Sequence, residues 1–252
     1  MRSATVTALL VGSVLACGVA AGSAKPPSAH ATSASFSYYG GPFDQVTAGT
    51  LDWGDFDGDG DLDLILTGVV NDNNDLVAWV YRNDGGLAFT RLTTAVQDAA
   101  TPQARWGDYD GDGDLDLLIA GTGEGTGLSR LYRYDGGSTF TEILSGILEA
   151  HYASIDWGDQ DNDGDLDVLL TGFPPSGPGG YSAICRNDGA GLFPDIGAGL
   201  VGVGYSGAVW GDYDSDGDLD ALLTGFTDNS FLPATRLYRN DGNGFSWTRR
   251  LP

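Results

Sequence analysis

The sequence predicts an all-β fold built from four repeats, each of four short antiparallel strands. A Trp-Gly-Asp triplet occurs four times, and its tryptophans are 53, 51 and 53 residues apart, at Trp53, Trp106, Trp157 and Trp210. A repeat of about fifty residues is typical of propellers, solenoids and arrays. Period-two alternation punctuated by glycine and Asn-Asp-Gly turns follows the triplets, and no helical pattern of useful length is found after residue 32.

The first repeat shows how the four strands, A to D, are assigned. An apolar stretch entering Trp53 predicts strand A, and the alternating run of residues 62–67, ended by Gly68, predicts strand B. After a variable loop, residues 78–82 predict strand C and the Phe-led run of residues 89–92 predicts strand D. The Asn-Asp-Gly turn between them is a strong hairpin signal. The same order along the chain predicts units at about residues 45–93, 98–144, 149–197 and 202–252.

A loop of alternating aspartates follows each triplet and predicts a calcium site. Aspartates stand at loop positions 1, 3, 5, 7 and 9, and a glycine stands at position 6. This spacing puts the hard oxygen ligands that Ca²⁺ prefers around one centre, and the glycine permits the sharp turn that converges them. We therefore expect about four Ca²⁺ per chain. The loop aspartates are Asp55, Asp57, Asp59, Asp61 and Asp63; Asp108, Asp110, Asp112, Asp114 and Asp116; Asp159, Asp161, Asp163, Asp165 and Asp167; and Asp212, Asp214, Asp216, Asp218 and Asp220.

Three other interpretations of these loops fit less well. An EF-hand needs a glutamate at position 12 and a helix on either side, but position 12 is Leu66, Ile119, Leu170 or Leu223 within a strand-like run. Calcium-loaded β-helices repeat about every nine residues rather than every fifty. A loop that is merely solvated would leave five aspartates repelling one another without a cation.

The Asp-x-Asp-x-Asp-Gly-x-x-Asp loop, within a repeat of this length, resembles the FG-GAP repeat of integrin alpha-subunit propellers and their bacterial, VCBS-type relatives. The resemblance covers residues 36–252. It implies that each repeat is one blade of a β-propeller and that the loop between its first two strands binds calcium. The implied ligands are the side chains at positions 1, 3, 5 and 9 and the carbonyl at position 7. Because the family usually closes with seven blades, four blades imply an incomplete propeller or an arc.

Strand counting bears on whether the ring closes. A phenylalanine that opens a D strand precedes the next triplet tryptophan by 17 residues, at Phe36, Phe89, Phe140 and Phe193, and Phe245 opens a fifth D strand. With four A-B-C sets and five D strands, the C-terminal D strand is predicted to complete the last unit because it forms a local hairpin. The N-terminal one is then left over. Unclosed units expose apolar faces, which predicts either tight closure on four blades or pairing into a homodimer.

Composition and the N-terminus indicate a secreted protein that does not bind nucleic acid. The chain has 12 Lys and Arg against 35 Asp and Glu, for a net charge of −23, and it would be repelled by phosphate. Residues 1–31 read as a cleaved signal peptide that precedes the repeats of residues 32–252, so no transmembrane span is expected in the mature chain. The alternative is a surface lipoprotein, since residues 14–17 resemble a lipobox that ends at Cys17.

The sequence contains no recognised catalytic motif, and we expect no enzyme activity and no cofactor other than calcium. His151 is the only histidine beyond the leader, and it lies in a link between units without a partner motif. Aspartates committed to calcium stay ionised and cannot donate protons. Cys185 takes the place of a tyrosine in the other repeats, which indicates a packed core residue.

A binding function is expected on the face opposite the metal loops. In an antiparallel meander the A–B loop and the C–D turn share one end of the sheet, and the B–C and D–A loops share the other. The B–C loops vary in length, charge and aromatic content, as binding loops do, and Phe173 and Phe231 in these loops are candidate partner-binding residues. The triplet tryptophans repeat in register with the units, which predicts that they are core residues, whereas Trp79 and Trp247 break the pattern and are candidates for exposure. The predicted function is a secreted calcium-binding module for adhesion to a glycan or a cell-surface protein. The alternative is a non-catalytic domain of a polysaccharide-active enzyme, or such an enzyme itself.

Overall fold

The computed structural model describes residues 37–70, 75–123, 126–177, 179–227, 232–242 and 248–249. The predicted leader, Cys17 and Phe36 lie outside these residues. Residues 40–252 form one compact unit. Within the described residues all regular structure is β, and no helix among them is long and apolar enough to cross a membrane.

The strands follow the order predicted from the repeats. They are β1 (Leu51–Gly54), β2 (Asp63–Val70), β3 (Asp75–Asn83), β4 (Phe89–Arg91), β5 (Ala100–Gly107), β6 (Asp116–Thr122), β7 (Gly127–Tyr134), β8 (Phe140–Ile143), β9 (His151–Gly158), β10 (Asp167–Phe173), β11 (Tyr181–Cys185), β12 (Gly204–Gly211), β13 (Asp220–Phe226), β14 (Pro233–Arg239) and β15 (Thr248–Arg249). Consecutive strands pair antiparallel into four sheets, β1–β4, β5–β8, β9–β11 and β12–β15. The prediction of an all-β fold with four repeated sheets is therefore confirmed.

The third sheet departs from the prediction of four strands per unit. Its fourth segment keeps two backbone hydrogen bonds, from Arg186 N–H to the Pro194 carbonyl at 3.0 Å and from Ile196 N–H to the Ile184 carbonyl at 3.0 Å. This segment forms an isolated bridge between Cys185 and Asp195 instead of a fourth strand. Because proline has no N–H to donate, Pro194 prevents a regular ladder at this position.

The four sheets stack through three apolar layers. We call the face of each sheet that meets the preceding sheet its N-side face, and the opposite one its C-side face. In the first layer, Phe56 and Ile65 on the C-side face of the first sheet pack against Trp106 and Leu117 on the N-side face of the second. The rings of Phe56 and Trp106 are stacked with centroids 5.4 Å apart. Equivalent layers join the second sheet to the third and the third to the fourth.

The glycine of the Trp-Gly-Asp triplet is required by this stacking. A Cβ on Gly54 would lie 2.7 Å from Trp106 Cδ1, and a Cβ on Gly158 would lie 2.7 Å from Trp210 Cδ1. In the same way, a Cβ on Gly107 would lie 2.7 Å from Trp157 Nε1. Each triplet glycine thus leaves room for the tryptophan of the next sheet. This explains why Trp and Gly recur together.

The arc of sheets is not closed. The first strands of neighbouring sheets contact one another in sequence, β1 with β5, β5 with β9, and β9 with β12. Trp53 at the beginning of the arc is 49% exposed, whereas its equivalent Trp106 is 8% exposed. At the other end, Tyr213 is 55% exposed, whereas its equivalent Phe56 is fully buried. The expectation that all triplet tryptophans are core residues is therefore wrong for Trp53, because no sheet precedes it among the described residues.

The chain ends are arranged largely as strand counting predicts. The pairing of β14 with β15, through Tyr238 with Arg249 and Arg239 with Thr248, completes the fourth sheet. Residues 37–50 contain no strand beyond an isolated bridge between Thr47 and Val69. In this segment Phe43 and Val46 pack on the N-side face of the first sheet.

Candidate metal centre

The aspartate loops lie at one end of the sheets, between the first and second strands of each. The turn between the third and fourth strands lies beside them, because Asn83 Nδ2 donates to the Leu62 carbonyl at 3.1 Å. In the third sheet a Cβ on Gly189 would lie 3.4 Å from Asp165 Oδ2, which places the corresponding turn beside its loop. The predicted pairing of the A–B loop with the C–D turn at one end is confirmed.

Each loop gathers three carboxylates. The aspartates at positions 1, 3 and 9 offer one oxygen each, and these oxygens lie within 4.8 Å of one another. Two oxygens bound to one Ca²⁺ at 2.3–2.6 Å can be at most about 5 Å apart, so the spacing suits a shared ion. The four sets are Asp55, Asp57 and Asp63; Asp108, Asp110 and Asp116; Asp159, Asp161 and Asp167; and Asp212, Asp214 and Asp220.

The aspartate at position 9 is buried and anchors the loop. Asp63 Oδ2 accepts the Phe56 N–H at 3.0 Å, and Asp63 Oδ1 accepts the Asn83 N–H at 2.7 Å. Burial raises the pKa of Asp63 to about 6, and it raises the pKa of Asp116 to about 7 and that of Asp167 to about 6. A cation would oppose this effect by stabilising the ionised carboxylates.

The carboxylates at positions 1 and 3 have buried oxygens without a protein partner. Asp55 Oδ1, Asp57 Oδ1 and Asp108 Oδ1 are buried and accept no hydrogen bond. The other oxygen of Asp55, Oδ2, accepts the Gly60 N–H at 2.9 Å, which fixes its orientation. Since a buried carboxylate oxygen is costly unless it is paired or binds a metal, these orphaned atoms fit a cation. The residues present therefore suit the ion that the sequence predicts.

The aspartate side chains at positions 5 and 7 are not part of the carboxylate clusters. At position 5, Asp59 Oδ1 accepts the Asp61 N–H at 2.9 Å and Asp112 Oδ1 accepts the Asp114 N–H at 3.0 Å, so this aspartate caps a turn. Asp163 and Asp216 accept the N–H groups of Asp165 and Asp218 in the same way, at 3.0 and 3.1 Å. At position 7, the Asp218 side chain accepts a hydrogen bond from Asn162 Nδ2 at 2.8 Å, which links the third and fourth loops.

A repeated arginine beside each loop was not anticipated from the sequence. In the first three sheets it pairs with the aspartate two residues later, at 2.7–2.8 Å, in Arg82–Asp84, Arg133–Asp135 and Arg186–Asp188. In the fourth sheet Arg239 keeps the corresponding pair with Asp241 at 3.1 Å and also reaches the metal loop, with Nε 2.6 Å from Asp214 Oδ2 and a terminal nitrogen 3.0 Å from Asp216 Oδ2. The fourth cluster is therefore partly neutralised by a protein cation. The signal available in the sequence was an arginine two residues before an aspartate in every repeat.

The end of the sheets opposite the metal loops carries an aromatic group, and its two tyrosines were not anticipated from the sequence. The rings of Tyr152 and Tyr205 lie 4.3 Å apart, and Phe173 meets Tyr205 edge-on at 5.4 Å. Both tyrosines adopt left-handed backbone conformations, with φ of 47° and 46°. Such conformations cost roughly 1–2 kcal/mol for a residue other than glycine. Ala48 has φ of 50° at the equivalent position of the first repeat, so the distortion is shared but the aromatic side chains are not.

The remaining predicted residues occupy various environments. Cys185 is buried in the layer between the second and third sheets, and burial raises the pKa of its thiol to about 12. Trp79 is half-buried, with the Arg91 guanidinium 4.7 Å from its ring centroid. Phe173 is held by packing, because a Cβ on Gly204 would lie 2.2 Å from its ring. His151 is half-buried at the start of β9. Phe231 and Trp247 lie outside the described residues.

Comparison with known proteins identifies the repeat type over part of the chain. Residues 55–119 and 108–170 each match the model of the FG-GAP-like repeat. No curated protein matches the chain. Among solved structures, a lectin of Agrocybe aegerita, described as specifically recognising non-reducing terminal N-acetylglucosamine, aligns with 18% identity and a TM-score of 0.49. The alignment covers 81% of this chain and 52% of the lectin chain, so our chain spans about half that protein's length. Residues 55–170 thus contain two matches to the FG-GAP-like repeat.

Proposed function

We propose that the chain is a secreted repeat protein that binds calcium in its aspartate loops. At the opposite end of its sheets it binds a glycan or an extracellular protein. The observation that carries the proposal is the division between the two ends of the sheets. One end repeats the same carboxylate cluster four times, and the other exposes aromatic side chains found in only some of the repeats. A repeated end suits a structural role, and a varied end suits recognition.

The carboxylate clusters support calcium as the bound ion. Each loop has five aspartates, and its central cluster supplies carboxylate oxygens without nitrogen or sulfur ligands. Hard oxygen ligands of this kind select Ca²⁺ or Mg²⁺, and flexible loops with many carboxylates favour the larger Ca²⁺. The bound ions would offset the mutual repulsion of the aspartates and hold the first two strands of each sheet together. The proposed ligands are the carboxylates at positions 1, 3, 5 and 9 and the carbonyl at position 7.

The aromatic group of Tyr152, Tyr205 and Phe173 is the proposed contact surface. Both tyrosines are exposed although their backbone conformation is unfavourable, and strained backbone of this kind is concentrated at functional sites. A tyrosine ring offers an apolar face and a polar hydroxyl, which suits a pyranose with its C–H face and hydroxyl edge. We therefore favour a glycan over a protein as the ligand class.

The proposed module is not itself an enzyme. Among the described residues, the groups of three or more His, Cys, Asp or Glu side chains are the four loop clusters. These carboxylates are assigned to calcium in the proposal. A role beside a polysaccharide-active catalytic domain agrees equally with a glycan-binding surface, and secretion or attachment through Cys17 would both place the module outside the cell.

A glycan array probed with the full chain tests the proposal. We expect binding in calcium and its loss in EGTA, together with at least a tenfold loss for Tyr205→Ala and for Tyr152→Ala. Leu192→Ala is the matched control, because Leu192 is exposed and lies after β11 in the turn region at the metal-loop end of the sheets. No glycan binding by a calcium-loaded, folded chain would contradict the glycan assignment. Equal binding by the wild type and both tyrosine variants would contradict the assigned surface.

A further inference from the structure

The C-side face of the fourth sheet carries the residues of a sheet-to-sheet layer, although no further sheet packs on it among the described residues. Leu222 is 42% exposed, whereas Ile65, Leu118 and Leu169 at the same position of the other sheets are fully buried. Val209 and Tyr213 on the same face are also exposed. Exposed apolar residues that form a contiguous face mark an interaction surface. The nature of that surface can be read from the three layers already formed.

On the same face there is open space above Gly211, at the position where the other three sheets each receive the tryptophan of the next sheet. We call this position the recess. In the first three sheets the triplet glycine lies under the tryptophan of the next sheet, at a distance that excludes even a methyl group. A Cβ on Gly211 would have no atom within 4 Å. The recess at Gly211 is therefore the same feature as those at Gly54, Gly107 and Gly158, with its tryptophan missing.

The N-side face of the first sheet carries the matching side chain. Trp53 and Leu51 are exposed, although the equivalents of Leu51, which are Ala104, Ile155 and Ala208, are buried. Leu62 is exposed as well. Its equivalent Leu115 packs on the preceding sheet, where a Cβ added to Gly54 would lie 2.9 Å from Leu115 Cδ1. These are the side chains that fill the layer in the interior of the arc. Trp53 thus lacks a recess at one end, and Gly211 lacks a tryptophan at the other.

We infer that the partner of these faces is a second copy of the chain, with the C-side face of the fourth sheet of one copy packed on the N-side face of the first sheet of the other. The contact would repeat the internal layers, with Trp53 over Gly211 and beside Tyr213. Two copies related by a two-fold axis form this contact twice and close a ring of eight sheets. A head-to-tail contact either closes in this way or extends into a fibre.

The segment before the first sheet does not block this contact. Phe43 and Val46 pack over Leu64, Leu66 and Tyr81 on its N-side face. Val96 and Ala99 stand before Trp106 at the positions that Phe43 and Val46 hold before Trp53. They lie within the layer between the first and second sheets. The segment is therefore a component of a layer rather than a replacement for the neighbouring sheet.

The inferred contact is apolar and independent of the glycan surface. Asp52 and Asp156 accept the N–H groups of Trp106 and Trp210 across two internal layers, at 3.1 and 2.9 Å. Val209 occupies the equivalent position on the fourth sheet and provides no acceptor, so association there rests on apolar contact. Because each copy has a net charge of −23, calcium and added salt should both strengthen association.

Light scattering on the full chain in calcium tests the inference. We expect the mass of two chains for the wild type, and the mass of one chain for Gly211→Leu and for Trp53→Ala. Gly211→Leu fills the recess but meets nothing within one copy, so its melting temperature should equal that of the wild type measured under dissociating conditions. Leu144→Arg is the control for loss of an exposed apolar side chain and should keep the mass of two chains. Leu222→Arg and Leu51→Arg provide a second pair of variants should either of the first pair fold poorly.

A mixing experiment identifies the faces that meet. Gly211→Leu keeps an intact first-sheet face and Trp53→Ala keeps an intact fourth-sheet face, so their mixture should form a two-chain species that neither variant forms alone. A wild type with the mass of one chain at all concentrations would overturn the inference. So would a two-chain mass retained by Gly211→Leu, or a mixture that stays monomeric. Loss of association in only one of the two variants would indicate pairing of like faces and would also overturn it.

Discussion

The layer between the first two sheets and the open face of the fourth sheet have the same residue pattern in opposite environments. Phe56, Gly54 and Ile65 meet Trp106 and are enclosed, whereas Tyr213, Gly211 and Leu222 at the equivalent positions face solvent. The residues differ little in size, and the larger difference is the presence of a neighbouring sheet, which the fourth sheet lacks among the described residues. In a repeat protein, burial is therefore a property of the neighbour as much as of the unit.

The largest expected contrast is between Phe56→Ala and Tyr213→Ala. Phe56 is fully buried against Trp106, Tyr134 and Phe140, so its truncation should cost about 3–5 kcal/mol of unfolding free energy. Tyr213 is exposed, and its truncation should cost less than about 0.5 kcal/mol. Urea unfolding at low chain concentration measures both. Similar losses would mean that the face of Tyr213 is covered within a single chain.

Substitution of the triplet glycines should give a smaller difference in stability between an enclosed and an open face. Gly54→Ala places a methyl group 2.7 Å from Trp106 Cδ1 and should destabilise the fold by about 1–3 kcal/mol, which lowers the melting temperature by several degrees. Gly211→Ala has open space and should leave the melting temperature unchanged within error. A matching drop in both variants would disprove the steric role assigned to the interior glycines.

The fourth metal loop should differ from the others because of Arg239. Its guanidinium lies 2.6 Å from Asp214, one of the clustered carboxylates, and must give up that contact or share it when a cation binds. Calorimetric titration should therefore resolve three similar sites and one weaker site. Arg239→Ala should strengthen the weak site about tenfold. Arg82→Ala is the control, because Arg82 pairs with Asp84 outside the cluster.

Cys185 reports whether the interior layers stay sealed. Burial raises the pKa of its thiol to about 12, so the folded chain keeps the proton while an unfolded chain loses it near pH 9. The contribution of the buried, protonated thiol to the free energy of unfolding is therefore fully present below pH 9. It falls as pH rises from about 9 toward 12. A thiol reagent at pH 8 should react with Cys185 only on unfolding, in a Cys17→Ser chain. A cysteine introduced as Leu222→Cys on the open face should react at once under dissociating conditions.

Much of this architecture could be predicted from the sequence because it depends on local chemistry repeated four times. The spacing of aspartates around Gly60 and the Asn-Asp-Gly turns specify the loop and hairpin within each unit. The interruption at Pro194, the rotation of Arg239 toward Asp214, and the positive φ of Tyr152 could not be predicted, because each depends on one particular neighbour. Exposure of Trp53 likewise depends on the absence of a preceding sheet among the described residues. The pattern of Trp53 itself is the same as that of Trp106.

The proposed role of calcium is tested most directly by the thermal unfolding of the full chain in calcium and in EGTA. Each site at a hundredfold excess of calcium over its Kd should contribute about 2.7 kcal/mol, so four sites together stabilise the fold by roughly 10 kcal/mol. We predict a melting temperature that falls by tens of degrees in EGTA, returns when calcium is added and is restored poorly by magnesium. An unchanged melting temperature in EGTA would contradict the assignment of the four carboxylate clusters to calcium.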